Sequence, residues 1–150
     1  MALKEQVNND LKAALLGGNR FAGEVLRGLK AAILNEEVAQ NKRDEGLDDE
    51  AIQKIVAREV KKRNESATIY VQAARPELAE TERTEAVVLM AYLPVQLSDD
   101  EIMTVVTRLA QASGATGPSA MGQLIGAVKK ELGNSADGAT IARLVKNALQ

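Results

Sequence analysis

The segment Tyr92–Ile102, YLPVQLSDDEI, constrains the chain more than any other, because it closes one long helical pattern and opens another. Pro94 has no amide proton to donate and biases Leu93 away from helical geometry, so the incoming helix is predicted to stop near Tyr92. Ser98 can then accept from the open amides of a new first turn. Glu101, three residues on, can reach back to the Ser98 amide and complete a capping box. Leu97 and Ile102 stand at the two positions of a hydrophobic staple. By itself this is an ordinary helix–helix connection. Its position between two blocks of helical pattern makes it the expected hinge between two lobes.

The blocks on either side read as helices throughout. Leu3, Val7, Leu11 and Leu15 recur every four residues and predict a short amphipathic helix closed by Gly17-Gly18. Asn19 is the expected cap of a second helix, with Phe21, Val25, Leu26, Leu29, Ile33 and Val38 inward and a stop at Gly46 after the charged stretch Asn41–Glu45. Leu47, Asp48 and Ile52 repeat the staple-and-cap pattern. The third helix should bury Ile52, Ile55, Val56, Val60, Ala67, Tyr70 and Val71 and end near Arg75. Pro76 suits the first turn of a fourth helix, with Val87, Val88, Leu89, Met90 and Leu93 as its core residues. Beyond the hinge, Ile102, Val105, Val106 and Leu109 mark a fifth helix. Met121, Leu124, Ile125, Val128 and Leu132 mark a sixth, on which Gly122 and Gly126 could admit a neighbouring backbone. Asp137 should cap a last helix that turns Ile141, Leu144, Val145 and Leu149 inward.

No segment alternates as a strand would, and no repeat of 20–50 residues is visible. The chain holds one Phe, two Tyr and no Trp, so its core must be aliphatic, which favours helices over sheets. The expected fold is all-α. An N-terminal lobe of about four helices spans residues 1–95, and a C-terminal three-helix lobe spans residues 96–150.

Composition also narrows the chemistry. The chain has no cysteine and no histidine, so thiolate nucleophiles, disulfides and the commonest proton shuttle and metal ligand are all missing. No catalytic residues, cofactor or metal are expected. The charged N-terminal decapeptide is unlike a secretory signal, and the most apolar run, Ala86–Leu93, is too short to span a bilayer. The expected location is the cytoplasm. Gly117-Pro118-Ser119-Ala120-Met121-Gly122 has the glycine spacing of a phosphate-binding loop. Gln123 and Leu124 stand where Lys and Ser or Thr are needed, and no strand precedes it, so nucleotide binding is rejected. The acidic triplets Asp48-Asp49-Glu50 and Asp99-Asp100-Glu101 fall where first helical turns favour carboxylates, and they read as helix starts, not metal or acid/base sites.

Two basic sets stand out against a net charge of −2. Lys54, Arg58, Lys61 and Lys62 share a stripe of the third helix. Lys129, Lys130, Arg143 and Lys146 gather near the C-terminus. Charge alone makes each a solvated helix face. Arg143 and Lys146 must point outward, because the other side of their helix is needed for the core, and they should be free to meet phosphates.

Several stretches in fixed order then carry a family resemblance: RGLKAAILNEE at Arg27–Glu37, REVKKRNES at Arg58–Ser66, YVQAARPELAETE through Glu82, YLPVQLS at the hinge, and MGQLIGAVKKEL followed by ADG and LVKNAL. Nearly end to end, the chain resembles the YqeY family. That resemblance implies a C-terminal lobe similar to the tail domain of the B subunit of the glutamine-dependent tRNA amidotransferase, a carbon–nitrogen ligase, whose tail contacts the tRNA elbow. It implies tRNA, or a protein of the translation or tRNA-aminoacylation machinery, as partner. It brings over no catalytic residues: neither an amidase serine site nor a kinase-like cradle is present. One departure concerns Gly133-Asn134-Ser135, which precede Ala136-Asp137-Gly138 where many relatives carry a Lys or Arg. The resulting expectation is a non-catalytic helical module that binds RNA through Lys129, Lys130, Arg143 and Lys146, with Lys54, Arg58, Lys61 and Lys62 as a secondary face. The rival is a protein–protein adaptor whose basic helices are only soluble surfaces.

Overall fold

The computed structural model describes residues 2–150, and among these the chain is all-α, with seven helices and no strand. They are α1 (Ala2–Leu16), α2 (Arg20–Ala39), α3 (Asp49–Gln72), α4 (Pro76–Met90), α5 (Asp99–Ser113), α6 (Met121–Leu132) and α7 (Gly138–Ala148). Short 3-10 turns at Pro118–Ala120 and Gly133–Ser135 lead into α6 and α7. The chain forms two compact units, Met1–Leu93 and Pro94–Gln150.

Helix starts follow the local signals closely. Asn19, Asp48, Ser98 and Asp137 each cap the following helix by accepting the amide three residues on, from Ala22, Ala51, Glu101 and Thr140 respectively. At Ser98 the capping box is only half formed, since Glu101 is exposed and makes no return bond to the Ser98 amide. The staples close as expected: Leu47, Ile52 and Ile102 are buried, and Leu97 packs against the second core.

Helix ends depend on left-handed residues. Gly18 ends α1 at φ 74°, and the Asn19 amide returns to the Ala14 carbonyl. The end of α2 corrects the sequence expectation. Asn41, at φ 57°, takes the left-handed position and the Lys42 amide returns to the Glu37 carbonyl, five residues before Gly46. Asparagine tolerates this geometry, so the helix stops where its core face runs out. At the end of α3 the same role falls to Ala74, at φ 58°. Its neighbours close the hydrogen bonds of a Schellman turn, Ala74 to Val71 and Arg75 to Tyr70. An alanine there carries a steric cost of about 1 kcal/mol.

The first core joins Val7 and Leu11 of α1, Val25, Leu26, Leu29 and Ile33 of α2, Leu47, Ile52, Ile55, Val56 and Val60 at and along α3, and Ala86, Leu89 and Tyr92 from α4 onward. Each large aliphatic side chain buried here contributes about 1.5–3 kcal/mol. Farther along the α3–α4 hairpin, Ala67 and Ala79 are buried and small, and Arg63 links Glu59 of its own helix to Glu85 of α4. Glu37 is the exception in this core. It is 2 % exposed, accepts from Lys4 Nζ at 2.7 Å, and accepts from the Leu47 amide at 3.3 Å.

Several residues expected inside are not. Leu15, Val38, Val71, Val87 and Met90 are exposed, and Phe21 is at the surface; Tyr70, Val88 and Leu93 are half-buried. A strict four-residue repeat rotates about 40° per step around a helix of 3.6 residues per turn. By Leu15 the stripe has therefore turned off the face, and Ala14 takes its place. Gly23, not Phe21, meets α1: a methyl there would lie 3.2 Å from Leu15 Cδ2. On α4 the buried line is Ala79, Ala86 and Leu89, which leaves Val87 66 % exposed.

The second core is built from Ile102 and Val106 of α5, Leu124 and Val128 of α6, and Ile141, Leu144 and Val145 of α7. Gly122 and Gly126 do not serve a close helix approach, since both face open space. The entry to α5 is joined to the α6–α7 connection by Leu97 N–H to the Ser135 carbonyl (2.9 Å) and Gln96 Nε2 to the Asn134 carbonyl (3.0 Å).

Three expectations follow. A fragment spanning Pro94–Gln150 should show a helical circular-dichroism spectrum and a cooperative melt; a disordered spectrum would count against an independent unit. Ala74→Gly should raise stability by about 0.5–1 kcal/mol in urea melts, because glycine relieves the left-handed strain at some entropic cost. Glu37→Ala should lower it by about 2 kcal/mol or more, since Lys4 and the Leu47 amide both lose their acceptor.

Candidate nucleic-acid interface

Helix α6 buries Leu124 and Val128 and ends in Lys129 and Lys130, a favourable place for cations against the negative end of the helix dipole. The chain then turns through Gly133–Ser135, and Asp137 starts α7. Asp137 Oδ1 accepts the Thr140 amide at 2.8 Å and Oδ2 accepts the Thr140 hydroxyl at 2.8 Å. Both carboxylate oxygens are thus engaged within the cap. Helix α7 turns Ile141, Leu144 and Val145 inward and leaves Arg143 and Lys146 exposed.

The four C-terminal cations therefore all reach the surface of the second unit, but they are not equivalent. Arg143 is exposed without being free: its Nη2 lies 2.7 Å from Asp99 Oδ2, in the first turn of α5. That corrects the expectation of an unengaged guanidinium. Arg108 of α5 likewise pairs with Glu131 of α6. Among the described residues, Lys129, Lys130 and Lys146 take part in no ion pair. Lys129 reaches the start of α7, where a methyl on Gly138 would come within 3.2 Å of its Nζ and 3.3 Å of its Cε.

The basic stripe of α3 has a different character. Lys54 pairs with Glu50 (3.7 Å), Arg58 with Glu36 (3.8 Å), Lys61 with Glu65 (4.0 Å) and Lys62 with Glu59 (3.5 Å). Each member of the stripe is matched by a carboxylate of the same unit. These exposed pairs add little stability individually, yet together they offset the positive charge of the stripe.

The acidic triplets are occupied with helix starts. Asp48 caps α3, and Asp49 accepts the Leu3 amide at 3.0 Å, a bond that holds its carboxyl below the usual range. Asp99 is the partner of Arg143. Among the described residues no group of three or more acidic side chains is placed to hold a metal ion, and no helix is long and apolar enough to cross a membrane. The groove on unit 1 is lined by Glu36, Gln40, Asp48, Glu50, Lys54 and Arg58 among others, and it brings no nucleophile against a base.

Four features lay outside sequence reasoning: the buried Glu37, the Tyr92 hydroxyl donating to Asp10 at 2.6 Å, the Arg143–Asp99 pair, and the seat of Lys129 on Gly138. Each joins residues far apart in the chain or in different helices. No local spacing announces any of them.

Compared with known proteins, residues 4–149 match the model of the family described as Yqey-like protein. The chain is also similar to altered inheritance of mitochondria protein 41, mitochondrial, of Clavispora lusitaniae, with 33 % identity over 105 residues. That match covers 67 % of this chain and 58 % of the relative, so the chain spans less than two thirds of the relative's length. With a family match running almost from end to end over an all-α chain, this protein belongs to the Yqey-like family.

Proposed function

We propose that this protein is a non-catalytic, cytoplasmic helical module that binds RNA, tRNA in particular, through its C-terminal unit, and that it acts beside tRNA-dependent amidation without performing it. The observation that carries the reading is the contrast in charge compensation. All four cations of the α3 stripe have a carboxylate partner, whereas Lys129, Lys130 and Lys146 have none among the described residues. An ammonium without an internal partner is available to a phosphate and releases a counterion on binding. Such contacts position a nucleic acid and supply affinity, but they carry little sequence information. The resemblance of this unit to the amidotransferase tail supports tRNA as the particular polyanion. Arg143 contributes as well, sharing its guanidinium between Asp99 and a phosphate.

A protein-adaptor reading has one observation in its favour. Leu15, Leu16 and Phe21 are exposed near the α1–α2 connection, Leu16 by 90 %, and large apolar side chains exposed close together in sequence suit a protein partner.

Charge reversal separates the two. Lys130→Glu with Lys146→Glu should leave the helical spectrum unchanged and lower the melt only slightly, since neither side chain has an ion-pair partner among the described residues and each loses only its favourable place at a helix C-terminus. It should weaken binding of unfractionated tRNA at low salt and flatten the plot of log affinity against log salt by about two units. The control is Lys61→Glu with Lys62→Glu, which should bind as the wild type does. Loss of tRNA binding in the control alone would move the site to α3. Absence of tRNA binding by the wild type would favour the adaptor.

A further inference from the structure

We infer that Gly138 is a positioning residue for Lys129. The inference rests on the RNA-binding reading above and names the device that holds one of its cations in place. Three observations converge on the first residue of α7.

The backbone does not require glycine at this position. Gly138 is not among the residues with positive φ, and glycine is the poorest helix former apart from proline. A helix that begins DGAT could begin with almost any residue after its Asp137 cap.

What the missing side chain supplies is room. The end of Lys129 lies tight against the space a Cβ would take, with Nζ 3.2 Å and Cε 3.3 Å from that point. Few real Cβ contacts are so close, so a methyl at 138 requires the lysine tip to give by a few tenths of an ångström, and a larger side chain requires it to move farther.

The third observation concerns charge. Asp137 is the acid nearest to this seat in sequence, yet both its oxygens are engaged by Thr140. Lys129 has no ion pair among the described residues. The tip of its side chain therefore lies over glycine without a direct ion-pair partner. A long lysine chain loses rotamer freedom when it is fixed on a ligand. A side chain whose tip already rests in one place has less to lose on meeting a phosphate.

The test uses the full chain and unfractionated tRNA across a salt series. Gly138→Leu fills the seat, and Gly138→Ala fills it in part while favouring the helix, so its melting temperature should be unchanged or higher. Gly138→Leu should lower affinity about fivefold and reduce the salt slope by about one unit, the change expected for one lost phosphate contact. Lys129→Ala should do the same. The double variant Lys129→Ala/Gly138→Leu should be no worse than either alone, because both remove one interaction. Additive losses, or wild-type affinity and slope in both Gly138 variants, would overturn the positioning role while leaving RNA binding intact. A wild-type protein that binds no tRNA would overturn the inference together with the reading beneath it. If Gly138→Leu unfolds, Gly138→Ala decides, through the same coupling with Lys129→Ala.

Discussion

Lys4, Glu37 and the Leu47 amide meet inside the first unit, and the arrangement of its helices depends on that meeting. A carboxylate that is 2 % exposed is tolerable only if its charge is matched and its oxygens accept hydrogen bonds. Lys4 brings the charge from α1, and the Leu47 amide brings a second donor from the approach to α3. The acid thereby ties the first turn of α1, the last turn of α2 and the loop 40–48 to one point. Such pairs add little net stability compared with an apolar replacement, since desolvation offsets the attraction. Their effect is to penalise every packing in which the three segments are not together.

Tyr92 applies the same logic at the other end of the unit. Its ring is buried in the first core and its hydroxyl donates to Asp10 of α1. Burial, reinforced by the hydrogen bond and the charge of Asp10, pushes the phenol above its ordinary range, so it remains a neutral donor at physiological pH. The contact anchors the chain just past α4. Pro94 and the Ser98 cap then begin a unit with a core of its own.

The two basic surfaces show that equal counts of lysine and arginine can carry unequal charge compensation. Both sets lie on exposed helix faces and both look equally basic as strings of letters. Glutamates one turn away on α3, together with Glu36 on α2, neutralise the first set. Around α6 and α7, Asp99 is paired with Arg143 and Glu131 with Arg108, and among the described residues Asp137 forms no ion pair with a lysine. What remains positive is set by which carboxylates are already engaged, and helix packing decides that.

Local chemistry determined the all-α class, all four side-chain caps and both staples, because each depends on residues within five positions of one another. Most of the core was legible for the same reason, through apolar residues at helical spacing. The errors came where the pattern was ambiguous about rotation. Leu15, Val38, Val71, Val87 and Met90 lie beside the buried line, and only the neighbouring helices decide which of two adjacent residues turns inward. The family pattern and the four C-terminal cations were visible as a string. Their inequality was not. That Arg143 is held by Asp99, that Lys129 rests on Gly138 and that Glu37 is buried with Lys4 are matters of residues 44, 9 and 33 positions apart. Separations of that kind acquire meaning only when helices pack, since a side chain's partner is whatever the fold brings within about 4 Å of it.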